Sequence, residues 1–503
     1  MRLLQWLLAA SSTALTVLAA GPTHNRSFEN TNVQRTIELG GSLTHVTTTF
    51  AIKALDTTGP NVYTFALSKL DQDKTSLFEV KLKGNTEELK VKKLGFDAKS
   101  NAYLYSVDLP PMAENASATL IVNSVLVHAS TAHPASVKQE EPQCLIFTTE
   151  AYVLSPYPTV SERTKIRLPS PKVVSYSAPK ELTKYASSSS DSKEQATGTR
   201  SGAVITYGPF QDLPVTAEAL FQKEDQKLLT IHYEYDTPIL SVVSLDRSAE
   251  ISHWGNNLNV QDSVHIRNDG PQLKGHFSRL ELQQAKYFHK TQPQVLQYIT
   301  LQLPAGIHNP YYYDSIGNVT TSRYRASPPV KPGQQKSKRS TSFLELRPRF
   351  PLLGGWNYTY TLGWDAPLGD SVKYDSKEGK YVIGVPFMTP IPGAAVDDAK
   401  VTIVFPEGAE NVQVYPPFDV ESMTRFTHVT YLDTLGRPAV TLKASKLTDQ
   451  HTGLIYASYT LPLRSHLAKP LVVATALFGF FLVGMFFRRV DLRISSTPLK
   501  SSS

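Results

Sequence analysis

Catalysis needs a nucleophile, a base or a metal cluster on a scaffold that fixes their geometry, and the residues that could supply such groups are scattered through this chain. It has no His-Glu-x-x-His pair for zinc, no Gly-x-Ser-x-Gly elbow, no phosphate-cradling glycine loop and no Cys-x-x-Cys. The thirteen histidines are dispersed, and the closest two, His128 and His133, have no carboxylate or cysteine at ligand spacing. The carboxylate pairs Glu140–Glu141 and Asp397–Asp398 are adjacent, so a strand would aim their members at opposite faces. No catalytic, cofactor-binding or metal-ligating residue is expected, which favours a binding or scaffolding role. The single cysteine, Cys144, rules out an internal disulfide. In the apolar run Cys144-Leu145-Ile146-Phe147 it reads as a small buried hydrophobe.

Another kind of chemistry is done to a protein rather than by it. Four Asn-x-Ser/Thr acceptors occur, at Asn25, Asn115, Asn318 and Asn357, and they gain meaning only if the chain enters the secretory pathway. Its ends argue that it does. Arg2 precedes an apolar run from Leu3 to Leu18, and Ala19 and Ala20 offer a cleavage site, so residues 1–20 read as a signal peptide. Leu471–Phe487 is an uncharged run of 17 residues, about 26 Å as a helix, flanked by Lys469 and by Arg488–Arg489. A transmembrane helix over 470–487 and a short cytosolic tail over 488–503 are expected. Arg488, Arg489, Arg493 and Lys500 load the tail side, so the positive-inside bias agrees with a type I topology. Within the span, Gly479 and Gly484 are candidates for close helix packing. The formal net charge of +7 sits partly in the signal and tail. What is left is too dilute for a phosphate-tracking stripe, so no nucleic acid is expected as a partner.

The elements between those ends read as strands. Short β-branched and aromatic runs such as Ser117–His128, Leu228–Tyr235, Tyr381–Met388 and Val401–Phe405 are separated by turn residues. Thirty-four prolines oppose long interior helices, and only Ala217–Leu229 and Leu280–His289 hold a helical period. A Ser-rich loop at about 186–201 and a Pro-rich, basic loop at about 323–342 cannot pack a core. The fold expected is mainly β: two β-sandwich-like lumenal domains, 21–230 and 231–462, followed by one C-terminal transmembrane helix. Asn32-Val33-Gln34 is echoed by Asn259-Val260-Gln261, which suggests that the halves are related.

Several segments, taken in order, carry a resemblance. They are Ser155-Pro156-Tyr157-Pro158-Thr159, Tyr207-Gly208-Pro209-Phe210, Ile251–Leu280, Tyr312–Thr320, Arg347–Trp356, Phe405-Pro406-Glu407-Gly408-Ala409, Tyr431–Pro438 and Lys469–Val473. With them the chain resembles the ribophorin I family, the large single-span subunits of the oligosaccharyltransferase complex, in a fungal-type form with a short tail. The resemblance implies a non-catalytic subunit of the endoplasmic reticulum membrane with its bulk in the lumen. That complex transfers an oligosaccharide en bloc from dolichyl diphosphate to Asn of nascent chains. The partners implied are a catalytic multi-span subunit, a small two-span subunit and the nascent polypeptide. Asn318 matches the family's Gly-Asn-Val-Ser/Thr acceptor. The competing expectations are a membrane-anchored lumenal hydrolase of peptidase-like fold, and a cargo receptor or chaperone.

Overall fold

The computed structural model describes residues 27–489 apart from 56–60, 187–196, 289, 291, 328–340 and 432. The signal peptide with its Ala19–Ala20 boundary, Asn25, the centres of both expected loops and the tail from residue 490 lie outside the described residues. Two compact units emerge. One is drawn from Met1–Leu39, His45–Leu126 and Phe147–Ile231; the other from Gly40–Thr44, Val127–Ile146 and His232–Ser503.

Alternation of apolar and polar residues fixes strands because successive side chains leave a strand on opposite faces. In the first half of the chain, eight strands make one sheet in the order β14 (Thr199–Ser201), β15 (Val204–Leu213), β12 (Thr159–Arg167), β1 (Phe28–Leu39), β2 (Leu43–Ala54), β8 (Ser117–Val127), β4 (Thr75–Leu82), β5 (Glu88–Leu89). The second half repeats that order with β30 (Ser422–His428), β31 (Arg437–Leu447), β28 (Ala395–Val404), β17 (Leu240–Ser252), β18 (Asn257–Asn268), β25 (Asn357–Pro367), β21 (His308–Asp314), β22 (Gly317–Asn318).

The smaller sheets repeat as well. A three-stranded sheet of β3 (Val62–Leu67), β7 (Ala102–Asp108) and β6 (Val91–Asp97) recurs as β20 (Ile299–Leu303), β24 (Ser342–Leu346) and β23 (Arg323–Arg325). A four-stranded sheet of β13 (Val173–Tyr176), β16 (Leu228–Glu234), β11 (Cys144–Glu150) and β9 (Ser130–Ala132) recurs as β29 (Glu410–Tyr415), β32 (Leu454–Thr460), β27 (Lys380–Pro386) and β26 (Val372–Asp375). Among the described strands, β10 (Ser136–Val137) and β19 (Gln272–Leu273), which pair with each other, have no counterpart.

Each large sheet places a parallel pair at the same point, β1 with β12 and β17 with β28. The halves are therefore related in topology, but in a different register from the Asn-Val-Gln echo. That echo sets β1 against β18, whereas the topology makes β17 the counterpart of β1. The matching segments are Val33-Gln34-Arg35-Thr36-Ile37-Glu38-Leu39 and Leu245-Asp246-Arg247-Ser248-Ala249-Glu250-Ile251. They bury the same alternate positions. Across the parallel pairs, Val33 faces the buried Glu162 in one sheet and Leu245 faces the buried Ala399 in the other.

Among the described residues the α-helices are α1 (Lys69–Lys74), α2 (Ala219–Glu224), α3 (Arg279–Tyr287), α4 (Leu368–Ser371) and the 27-residue α5 (Leu463–Arg489), and Lys180–Tyr185 forms a 3-10 helix. The helix expected over Ala217–Leu229 shrinks to α2, because Leu228 already begins β16, whose alternate residues Leu229, Ile231 and Tyr233 are buried. Helix α3 matches its expectation, with the Ser278 hydroxyl accepting from the Glu281 N–H at 3.2 Å. Cys144, expected to be buried, is only half-buried, at the start of β11.

Candidate functional site

A dense polar arrangement in the second unit gathers at the base of α5, where Leu463–Lys469 precede the apolar run. Three carboxylates and two cations interlock there. Lys469 Nζ lies 2.9 Å from Asp433 and 3.0 Å from Glu407. Arg437 reaches Asp433 at 3.1 Å and Glu250 at 3.4 Å. Glu407 also accepts from the Thr434 hydroxyl and from the Thr434 and Leu435 N–H groups at 2.7–2.8 Å. Burial opposes the charge on Glu407, but those hydrogen bonds and Lys469 outweigh it and hold its carboxyl down to about 2. Burial likewise opposes charge on Asp433, and donors from Thr430, Lys469 and Arg437 hold it well below the usual carboxylate range.

The aromatic side of the junction follows from a proline. Pro470 lies inside α5 and has no N–H to give the carbonyl four residues back, that of His466. The Trp254 indole N–H donates to that carbonyl at 3.0 Å, and its ring stacks on the His466 imidazole with centroids 5.0 Å apart. His253 Nε2 meets the Tyr459 hydroxyl at 2.7 Å, and burial, followed by the neighbouring His466, lowers the His253 pKa. Gly408 lets the chain pass close beside the helix. It has φ +77°, and a Cβ there would come within 2.5 Å of the Ser465 hydroxyl oxygen. Between these groups lies a cleft of about 250 Å³. Its side chains are ionised, paired and hydrogen-bonded, which suits holding a helix at a fixed angle.

Four of the segments behind the family resemblance meet here: Ile251–Leu280 through His253 and Trp254, Phe405–Ala409 through Glu407 and Gly408, Tyr431–Pro438 through Asp433 and Arg437, and Lys469–Val473 through Lys469. Sequence reasoning picked out the segments but not the site, because their residues are far apart in the chain (Trp254 and His466 by 212 positions) and only the fold joins them.

Two other polar clusters lie buried in the sheets. Arg247 on β17 is fully buried and makes a bidentate pair with Asp262 on β18, both contacts at 2.6 Å; its guanidinium also donates to the Pro386 carbonyl at 2.8 Å. Arg35 on β1, its counterpart, donates instead to Thr164 and to the Glu150 and Ala151 carbonyls, at 2.6–3.2 Å. Its charged surroundings are Glu162, Asp71 and Glu150. Burial is the main influence on these carboxyls, and it pushes those of Glu150 and Glu162 up to about 7. A cavity of about 60 Å³ adjoins Arg35, Asp71 and Glu150, with Phe50, Phe65 and Phe78 on its apolar side. Among the described residues no group of three or more His, Cys, Asp or Glu side chains is placed to hold a metal ion.

The remaining candidates are spread apart. Asn115 sits exposed on a turn at φ +60°, Asn318 is exposed on β22, and Asn357 is exposed at the start of β25. Gly479 and Gly484 lie in open space along α5, about 140° apart around an axis of 3.6 residues per turn. Helix α5 is long and apolar enough to cross a membrane, and its apolar window has no face covered by the rest of the chain.

The family profile described as Ribophorin I matches residues 28–488, a stretch running through both sets of sheets and almost to the end of α5. The chain belongs to the ribophorin I family. Among its relatives, subunit 1 of the dolichyl-diphosphooligosaccharide–protein glycosyltransferase of Caenorhabditis elegans is 28% identical over 95% of this chain and 75% of its own length. Subunit 1B of the same transferase in Oryza sativa subsp. japonica is 31% identical over 80% of this chain and 76% of its own. Subunit 1A of Arabidopsis thaliana is 29% identical over 78% of this chain and 58% of its own. Among solved structures, leukotriene A4 hydrolase from Saccharomyces cerevisiae aligns with 44% of this chain and 31% of its own at 14% identity and a TM-score of 0.25, a likeness too slight to argue from.

Proposed function

We propose that this chain is an accessory, single-span subunit of the dolichyl-diphosphooligosaccharide–protein glycosyltransferase in the endoplasmic reticulum membrane, with its β-rich bulk in the lumen and its tail in the cytosol. The observation that carries the reading is a family match that runs unbroken from the first strand through the membrane helix, with relatives named as subunit 1 of that transferase. Glycosyl transfer belongs to a separate multi-span subunit. The lumenal β-domains, 21–230 and 231–462, stabilise the complex and help place nascent polypeptide.

The membrane helix supports this role by what it leaves open. Between bilayer and partners its exposed apolar faces must be covered, and a small two-span subunit packed against it would do so. The exposed acceptors Asn115, Asn318 and Asn357 suit glycans on lumenal surface, with Asn318 first among them. The hydrolase and cargo-receptor readings gain nothing from the names of the relatives.

Depleting the chain in cells tests the proposal. Glycan occupancy should fall across many secretory proteins, and the remaining subunits should sediment as smaller assemblies. Unchanged occupancy with an intact complex would sink it.

A further inference from the structure

The loop bonded to the base of α5 carries apolar side chains with nothing over them. Tyr431 is 97% exposed, Leu435 82% and Val429 68%, and three such side chains within seven residues form a patch of the kind that marks an interaction surface. The loop is not loose. Asp433 accepts from the Thr430 hydroxyl and N–H and binds Lys469, and the Thr434 and Leu435 N–H groups are held by Glu407. A single carboxylate, that of Glu407, bridges the Leu435 backbone and the Lys469 ammonium, at 2.7 and 3.0 Å.

Lys469 stands two residues before Leu471, where the uncharged run begins, so about 3 Å of helix separates it from the hydrocarbon boundary. A lysine at that position keeps its ammonium among headgroups while its stem follows the apolar surface. Whatever is bonded to that ammonium shares its depth. Trp254, 58% exposed and stacked on His466, stands about one helical turn further out. Tyrosine and tryptophan are the side chains that favour this zone, since each has an apolar body and a polar tip.

We infer that the loop around Val429, Tyr431 and Leu435, with Trp254, is a second membrane contact: a collar that dips into the headgroup–acyl boundary of the leaflet on the β-rich side and fixes the tilt of the second unit over the bilayer. The partner is lipid, because the continuity of the loop with Lys469 places it where lipid begins. The inference rests on the reading of α5 as a membrane span, and its test separates the two.

The full chain with Cys144→Ser is labelled with a polarity-sensitive fluorophore at Leu435→Cys or, as a second position, Tyr431→Cys. It is reconstituted into phosphatidylcholine vesicles carrying nitroxide lipids at headgroup or mid-chain depth. A third variant, Phe480→Cys, reports on α5. The expected result is a blue shift at 435 and 431, loss of fluorescence to headgroup nitroxides, and protection from iodide, with the 480 label quenched by mid-chain nitroxides. If the 480 label is quenched by lipid while the loop labels stay open to iodide, the collar is wrong and the span stands. Should the loop labels be shielded only in the assembled transferase and not in vesicles of this chain, a protein partner covers the loop and the lipid assignment is overturned. Failure of lipid to quench the 480 label would remove the span and the collar together.

Discussion

The two halves share a topology and bury an arginine at the same place, yet they neutralise it from different strands. In the second half the carboxylate comes from the hairpin partner, Asp262 on β18, and the residue across the parallel pair is Ala399. Aligning Thr48-Thr49-Phe50-Ala51-Ile52-Lys53 with Asp262-Ser263-Val264-His265-Ile266-Arg267 puts Thr48 where Asp262 stands. In the first half no acid pairs with the arginine directly, and the strongest of its three acidic neighbours, ahead of Asp71 and Glu150, is Glu162, at the position of Ala399. The comparison teaches that a buried cation fixes the demand for counter-charge but not its address. The address has a consequence: a bidentate partner closes the second cluster, while the first is left with three carboxyls, of which Asp71 and Glu150 line a cavity and Glu150 and Glu162 are raised to about 7.

The largest effect should come from breaking the closed pair. Asp262→Ala strands the Arg247 guanidinium without its acid in a fully buried site, and removing one partner of a buried pair costs about 3–5 kcal/mol. Denaturant unfolding of the second unit should show that loss. Replacing both, as Arg247→Met with Asp262→Leu, should recover most of it, because an apolar pair of similar volume is often neutral or better.

The second effect is pH-dependent and opposite in sign for the two regions. Glu150 and Glu162 have carboxyls raised by burial, so the stability they lend is complete below their unfolded range near 4.5 and is lost as pH rises through about 7. The first unit should therefore unfold at lower temperature at pH 8 than at pH 5.5. Exchanging the addresses, with Thr48→Asp and Glu162→Ala, should flatten that dependence. At the helix base the sign reverses. Glu407 and Asp433 are depressed, so their contribution is present above the ordinary carboxylate range and fades as pH falls toward 2. Amide exchange around Thr434 and Leu435, followed from pH 6 down to 3, should speed up beyond its intrinsic pH trend.

Smaller effects sharpen the account of the junction. Gly408→Ala adds a side chain at φ +77°, where left-handed backbone costs an L-residue about 1–2 kcal/mol, and it also crowds Ser465. Lys469→Ala should weaken the junction by about 1 kcal/mol, since its ammonium is partly solvated and partly networked. Local amide exchange in the 430–435 loop reads both.

Much of the fold was legible because burial in a strand leaves a period of two. Leu228–Tyr235 shows it plainly and became β16, while Ser117–His128, in which Ser124–Val127 are all buried, was legible from its β-branched content and became β8. The long apolar helix was legible from an uncharged run between cations, although α5 begins seven residues before Pro470, in polar turns that hydropathy does not register. The duplication was misregistered because three identical residues outweighed a pattern. The sounder signal was an arginine on the apolar face of a strand, Val33-x-Arg35-x-Ile37, repeated as Leu245-x-Arg247-x-Ala249. The helix-base site could not be read in advance. Trp254, Glu407 and Asp433 carry no signal where each stands, Lys469 is marked only as the cation before the apolar run, and only the fold brings them together.

The central claim is that this chain supports glycosyl transfer performed elsewhere in an assembly. The most direct measurement purifies the transferase from membranes in mild detergent with and without this chain, and assays transfer from the dolichyl-diphosphate donor to an acceptor. Without the chain, the remaining subunits should still glycosylate a short acceptor peptide but lose efficiency on a full-length polypeptide emerging from synthesis, and the chain alone should transfer nothing. Turnover by the isolated chain, or an assembly that forms and works equally well without it, would contradict the account.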